Sequence, residues 1–249
     1  MLKTKIDWCD STWNPVTGCR HACEYCYARG IARRFGKMIP DESGQKDPGM
    51  HRLEAPIDHN PYPYLFEPTF HTYRLDEFAK KKKSRNIFVG SMTDLFGDWV
   101  PDDWISDILS SCKKAPHHNY LFLTKNVKRY KEYGVPEEAF LWYGTTVTKE
   151  AELAFLLQLP ENSFVSIEPL LGDLHAKDHE EEFSRVRWVI IGAETGNRKN
   201  KVIPEEKWIW DIVDVCKKNK IPVFMKSSLS GIWDGGLIQE FPEKLKKIR

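Results

Sequence analysis

An α/β fold with a parallel sheet is expected from three features of the chain. Short runs that are apolar at nearly every position recur along it, as strands buried on both faces should be. Helical patterns lie between several of them, and repeated strand–helix alternation means parallel strands with right-handed crossovers. The 249 residues suffice for one sizeable core, a length that also fits a single α/β barrel. One domain over residues 1–249 is expected, with an insertion at about 38–73 and a C-terminal extension at about 229–249.

The first strand is placed near residues 11–16, just ahead of a group of cysteines. Residues 28–37 read as a basic helix carrying Arg29, Arg33 and Arg34. Beyond it, Pro40, Pro48, Pro56, Pro61, Pro63 and Pro68 punctuate a stretch rich in His, Tyr and Asp. Proline removes a backbone donor and clashes inside a helix, so this segment is loop or short edge strand. Its length suits a lid or binding segment, the plainer alternative being a surface insertion. The apolar runs then follow at 86–90 (NIFVG), 120–123 (YLFL), 140–143 (FLWY), 164–167 (FVSI), 188–191 (WVII) and 221–225 (IPVFM). Helices are expected over 102–114, 149–159 and 204–219. The last opens with Pro204 in its first turn, beside Glu205 and Glu206, which suit the positive end of a helix dipole. Seven strands result. A complete eight-stranded barrel or an open doubly wound sheet fits this pattern equally, and no internal repeat is visible.

Composition excludes little else. Hydrophobic residues make up 41% and charged residues 29%, and the formal charge is +1. Such a balance gives no global electrostatic case for nucleic-acid or membrane binding. The Lys80–Lys83 run with Arg85 reads as a solvated approach to a strand. The first residues lack the apolar region of a signal peptide and no run reaches the length of a membrane span, so a soluble cytoplasmic protein without membrane contact is expected. Cys112 and Cys216 follow aliphatic residues at helical spacing and read as small core residues; Cys9 is a spare thiol near the other cysteines. Most of the nine tryptophans fall in apolar helices or strands, as core residues do.

Cys19, Cys23 and Cys26 fall within eight residues, in the phrase Gly18-Cys19-Arg20-His21-Ala22-Cys23-Glu24-Tyr25-Cys26-Tyr27. Three thiolates from one loop can converge on one metal centre. Soft thiolates hold iron–sulfur clusters, and most clusters want four of them. Only three are supplied locally, which leaves one iron open to chemistry. Two alternatives stay open: a structural zinc site completed by Cys9 or His21, although no second ligand pair follows, and three thiols without metal, although the segment is polar for ordinary core.

This spacing, with aromatic Tyr25 before the last cysteine, resembles the signature of radical S-adenosylmethionine enzymes. The resemblance implies a 4Fe-4S cluster on Cys19, Cys23 and Cys26, with S-adenosyl-L-methionine chelating the fourth iron. One electron, from a donor such as flavodoxin or ferredoxin, would cleave S-adenosylmethionine to a 5′-deoxyadenosyl radical that abstracts hydrogen from the substrate. It also implies a partial (β/α)6-type parallel barrel.

In parallel α/β folds the site lies at the C-terminal ends of strands. Nearly every expected strand stops there at a polar residue: Ser91, Thr93 and Asp94; Lys125; Thr145 and Thr146; Glu168; Glu194; Lys226. The resemblance places Ser91, Thr93 and Asp94 where the superfamily binds the methionine amino group. This chain has Gly90-Ser91-Met92 where two glycines and a glutamate are common. Thr145 and Thr146 are candidates for the ribose hydroxyls. Gly192, near Glu194 and Gly196, would permit close approach of adenine. Lys125 and Lys226 are candidates for the methionine carboxylate or an anionic substrate, with Glu168 as ion-pair partner to either. No residue is singled out as general acid or base.

Further phrases look like one narrower family, associated with phages and mobile elements: Trp13-Asn14-Pro15, Gly90-Ser91-Met92-Thr93-Asp94-Leu95-Phe96, Leu123-Thr124-Lys125, Ser166-Ile167-Glu168-Pro169-Leu170-Leu171-Gly172 and Ile191-Gly192-Ala193-Glu194. That resemblance spans about residues 8–226. It suggests a nucleic acid or nucleotide substrate, with Arg29, Arg33, Arg34 and the aromatic Tyr62, Tyr64, Phe66, Phe70 and Tyr73 supplying phosphate contact and stacking. A peptide or a small metabolite remains open. The rival from another class is a non-enzymatic module in which zinc or an iron–sulfur cluster braces a barrel that binds a partner. Oligomeric state leaves no trace in the sequence.

Overall fold

A computed structural model of the chain describes residues 4–39, 49–58, 60–196 and 198–246. In chain order the strands are β1 (Ser11–Trp13), β2 (Val16–Thr17), β3 (His51–Leu53), β4 (Thr69–His71) and β5 (Asn86–Val89). They continue with β6 (Asn119–Thr124), β7 (Leu141–Thr146), β8 (Ser163–Ile167), β9 (Val189–Ile191) and β10 (Val223–Met225). The helices are α1 (Tyr27–Phe35), α2 (Asp102–Lys113), α3 (Lys128–Tyr133), α4 (Glu180–Ser184) and α5 (Glu206–Lys218).

Seven strands form a curled half-barrel in the order β1-β5-β6-β7-β8-β9-β10, and every neighbouring pair is parallel. The sequential order excludes a doubly wound sheet, which reverses at a switch point. The barrel does not close, since β1 and β10 are not neighbours. It holds one strand more than the six-stranded form that the resemblance implied. Residues 238–240 lie antiparallel along the outer edge of β10, with Met225 N donating to Ile238 O at 2.6 Å and Glu240 N to Val223 O at 2.8 Å. A short part of the C-terminal extension is thus an edge cover, which protects an otherwise unpaired strand.

Alternation along each strand sorts the core into two layers. On the outer face, Ile87, Val89, Tyr120 and Phe122 pack with Ile105 and Ile108 of α2, while Val165, Val189 and Val223 pack with Ile209 and Ile212 of α5. Cys112 and Cys216 lie in this layer, fully buried, as small core residues. The concave face carries Phe88, Leu121, Trp142, Phe164, Trp188, Ile190 and Phe224, packed with Trp8, Cys9 and Leu245 from the two ends of the chain. Asn86 and Asn119, at the starts of their strands, donate to the carbonyls of Leu245 and Lys244. Terminal segments and aromatic rings therefore plug the N-terminal end of the half-barrel and leave its C-terminal end as the mouth.

The strand expected over 11–16 divides at Asn14-Pro15. Pro15 has no N–H to donate to a ladder, and β2 leaves for a second sheet of order β2-β4-β3. The proline-rich insertion supplies β3 and β4, joined by turns and bends; Pro40 and Pro48 lie outside the described residues. Phe70 is fully buried and so not available for stacking on a ligand, while Tyr73 is half-buried with its hydroxyl bonded to His71. The helix expected over 149–159 winds as a 3₁₀ helix over Glu150–Gln158.

His71, fully buried where the small sheet meets the barrel, bonds through Nε2 to Thr17 Oγ1 at 2.9 Å and through Nδ1 to Tyr73 at 3.0 Å. Burial, with the nearby Arg74 cation, pushes its pKa down to about 3. Below its unfolded pKa of about 6.5 the unfolded chain takes a proton that the folded chain refuses, so stability falls as pH drops. The expected loss from this group is about 2 kcal/mol between pH 7 and pH 5. Thermal melts of wild type and His71→Gln over that range check it: the pH dependence should be shallower in the variant.

Candidate functional site

The cysteine loop is fastened over the mouth before any ligand is considered. Gly18 turns into it with φ +91, and a Cβ there would lie 2.3 Å from the Glu67 carbonyl oxygen. Only glycine fits this combination of left-handed backbone and close approach. Gly18 N donates to Met92 O at 2.9 Å, and the Thr93 hydroxyl donates to Gly18 O at 2.6 Å. Asn14 Oδ1 accepts from Ser91 Oγ at 3.1 Å and from Met92 N at 3.0 Å. The insertion walls the other side, where Cys19 N donates to Phe66 O and Arg29 lies over the Phe66 ring.

Asp94 is the hub of this arrangement. Its buried carboxylate accepts from Phe96 N at 3.1 Å and from Lys125 N at 2.9 Å, and pairs with His21 Nε2 at 2.6 Å. It thereby ties the residue between Cys19 and Cys23 to the ends of β5 and β6. Trp99 meets the His21 ring edge-on, with centroids 4.9 Å apart. Lys125 Nζ donates to Tyr25 OH at 3.1 Å and lies 5.5 Å from that ring. Tyr27 OH donates to Ser91 O at 2.7 Å.

Cys26 caps α1, its sulfur accepting from Arg29 N at 3.4 Å, and Cys26 N donates to Cys23 O at 3.2 Å. Burial pushes the Cys19 thiol up to about 12, and repulsion from Asp94, Cys23 and Cys26 adds to the shift. Among the described residues, no three His, Cys, Asp or Glu side chains gather closely enough to hold a single metal ion. A cluster asks for less, because its cysteines bind separate irons. The donor set fits a 4Fe-4S cluster with one iron lacking a protein ligand.

The period-two alternation that turns Phe88 and Phe164 inward carries on to the rim. Two or four residues beyond the inward Leu121, Trp142, Phe164, Ile190 and Phe224, on the same parity, come Lys125, Thr146, Glu168, Gly192 and Lys226. A Cβ on Gly192 would stand 3.1 Å from Lys226 Cδ and 3.2 Å from Glu168 Cδ. Gly192 therefore makes room for the Glu168–Lys226 ion pair, both partners of which are mostly buried. Deeper in, Gly144 admits the Phe164 ring, and the buried Trp142 indole N–H has no acceptor among the described residues.

Several expected site residues are committed to the protein itself. The Thr145 hydroxyl donates to Thr124 O at 2.9 Å and its side chain is fully buried, on the opposite parity to the inward set. Ser91, Thr93 and Asp94 hold the cysteine loop. Glu194 is gripped by Arg198 through Nε and Nη2, each at 2.7 Å, which holds its carboxyl below the usual range. Arg198 Nη1 also reaches Glu24 at 3.3 Å, joining the loop after β9 to the cysteine loop. Sequence reasoning missed Asn14 and Arg198, and weighed His21 only as a zinc ligand. The Asn-Pro pair that ends β1 was the available signal for Asn14; nothing marked Arg198.

No helix among the described residues is long and apolar enough to cross a membrane. The fold is like the radical S-adenosylmethionine fold of spore photoproduct lyase. That enzyme complexed with dinucleoside spore photoproduct matches with a TM-score of 0.56 at 8% identity, covering 90% of this chain and 78% of that one. Two variants of it match with a TM-score of 0.55 at the same identity and coverage. At that identity the likeness is one of fold. No curated protein matches the sequence significantly. A family model described as protein of unknown function (DUF5131) matches residues 3–239, and the chain belongs to that family.

Proposed function

We propose that this chain is a radical S-adenosylmethionine enzyme whose 4Fe-4S cluster is held by Cys19, Cys23 and Cys26 and whose substrate is a nucleic acid or nucleotide. The observation that carries the reading is a three-cysteine loop pinned over the open mouth of a parallel half-barrel by Asn14, Thr93 and Asp94. When bound, the cluster and S-adenosylmethionine supply one-electron cleavage to a 5′-deoxyadenosyl radical that removes hydrogen from the substrate.

The chain's own residues bind, orient and exclude. Lys125 and Lys226 offer cations at the mouth, the first oriented by Tyr25 and the second by Glu168. Either suits a carboxylate or phosphate oxygen. Thr146 has the parity of the inward set, which Thr145 does not. The aromatic floor and the crossing of residues 241–245 keep water from the N-terminal side. The likeness of the fold to an enzyme complexed with a dinucleoside supports a nucleic-acid substrate, as do the arginines that follow the cysteine loop.

Anaerobic reconstitution tests the proposal. The protein should be brown, bind about four irons per chain, and on reduction form 5′-deoxyadenosine from S-adenosylmethionine, with flavodoxin, ferredoxin or dithionite as electron donor. Tightly held zinc with no iron uptake would replace this reading by that of a metal-braced binding module.

A further inference from the structure

We propose that the solvent face of α1 is a track for single-stranded nucleic acid leading to the barrel mouth; this rests on the enzyme reading above. The helix begins at Cys26, so whatever lies along it arrives beside the cysteine loop. Of its nine residues only Ala28 and Ala32 are buried. Tyr27 and Phe35 are 52% and 58% exposed, two of the six large hydrophobic residues exposed among those described. No other helix among the described residues presents two large hydrophobic side chains to water.

Helical spacing puts Tyr27, Ile31, Arg34 and Phe35 on adjoining parts of one face. Arg34 stacks 5.2 Å from the Phe35 ring centroid, and Arg33 is exposed beside it. Among the described residues neither arginine pairs with a carboxylate. From Tyr27 to Lys37 the chain carries Arg29, Arg33, Arg34 and Lys37 and no acidic residue, within a protein of net charge +1. The cationic charge is therefore concentrated on this helix, with Arg34 between the two rings and Arg33 on the exposed flank.

The chemistry of the face selects the occupant. A partner helix would want a continuous aliphatic stripe, and here only Ile31 is aliphatic. Separated aromatic rings with interleaved guanidinium groups suit bases, which stack on rings whatever their sequence, and phosphates, which take the cations. From Tyr27 to Phe35 is about 12 Å along the axis, roughly the length of three to four stacked bases. A duplex offers no exposed base faces to such rings, so a single strand fits better.

Fluorescence anisotropy of the reconstituted holoenzyme with labelled fifteen-nucleotide oligo-dT and oligo-rU, over a salt series, tests the track. Binding should weaken steeply with salt, and Arg33→Ala/Arg34→Ala should make the slope of log K on log salt shallower by about 1.4, that is about 0.7 for each phosphate lost. Phe35→Ala should weaken binding about tenfold with the slope unchanged, and Arg33→Lys/Arg34→Lys should restore the slope. The proposal is overturned if no binding is detected at low salt, or if these variants bind as wild type does. It is also overturned if Arg33→Ala/Arg34→Ala impairs only reduction by flavodoxin, which would make the face a docking site for an acidic redox protein. Dithionite-driven 5′-deoxyadenosine formation by the wild-type holoenzyme separates the two readings. Formation without oligonucleotide binding removes the track alone; binding without formation removes the radical-enzyme reading alone.

Discussion

Cys26→Ala is expected to lose its iron on reconstitution and, with it, all detectable 5′-deoxyadenosine formation, while keeping its fold. Cys26 has two roles that can be separated. Its sulfur caps α1 by accepting from Arg29 N at 3.4 Å, and in the proposed holoenzyme it binds one iron. Loss of a cap costs about 1 kcal/mol, which for a chain of this size lowers the melting temperature by about 2–4 °C. Loss of one of three protein ligands leaves two irons without a protein donor, and two thiolates do not retain the cluster. Cys26→Ser separates the effects further. Its hydroxyl is a good helix cap, so its melting temperature should match wild type, but a hard oxygen ligand suits iron–sulfur chemistry poorly. Iron content and thermal melts on the same preparations check both. Cys112→Ala, in the outer core, should keep full iron content. Four irons retained in Cys26→Ala would end the cluster reading.

What was legible follows from where sequence pattern and fold share a period. Six of the seven barrel strands are visible because burial on both faces makes them read as apolar runs; β1, Ser11–Trp13, is not such a run. The mouth was visible because each run ends on a polar residue. Which of these residues face inward was not, since parity is fixed by register. Thr145 and Thr146 look equivalent in sequence, yet the register of β7 on β6 turns Thr145 toward the Thr124 carbonyl and Thr146 to the cavity. Partnerships across long separations were hidden for the same reason. Asp94 reads as a free carboxylate at a strand end until His21 and Lys125 are brought to it, and Glu194 until Arg198 closes on it. Gly192 reads in sequence as room for close approach, and only the fold shows that the side chains nearest it are those of Glu168 and Lys226. The edge cover at 238–240 carries no helix or strand period and was unreadable.

Asp94→Ala is expected to produce the largest loss of stability among the site residues and to release the cysteine loop. The carboxylate satisfies two buried backbone donors, Phe96 N and Lys125 N, as well as His21. Alanine leaves those donors in a site too small and buried for free hydration, at about 1–3 kcal/mol for each. A total of about 3–5 kcal/mol corresponds to a fall in melting temperature of about 10 °C. Asp94→Asn retains one acceptor but turns an amide N–H toward the second group of donors, so it should fall between alanine and wild type. His21→Ala isolates the tether: both backbone donors keep their acceptor, so the melting temperature should change much less, while iron retention drops because the stretch between Cys19 and Cys23 loses its hold on β5. Melting temperature and iron content thus rank the variants differently, with Asp94→Ala lowest in both and His21→Ala low only in iron. If Asp94→Ala takes up four irons and melts as wild type does, this carboxylate does not hold the loop, and the cysteines are positioned by Gly18, Thr93 and the insertion alone.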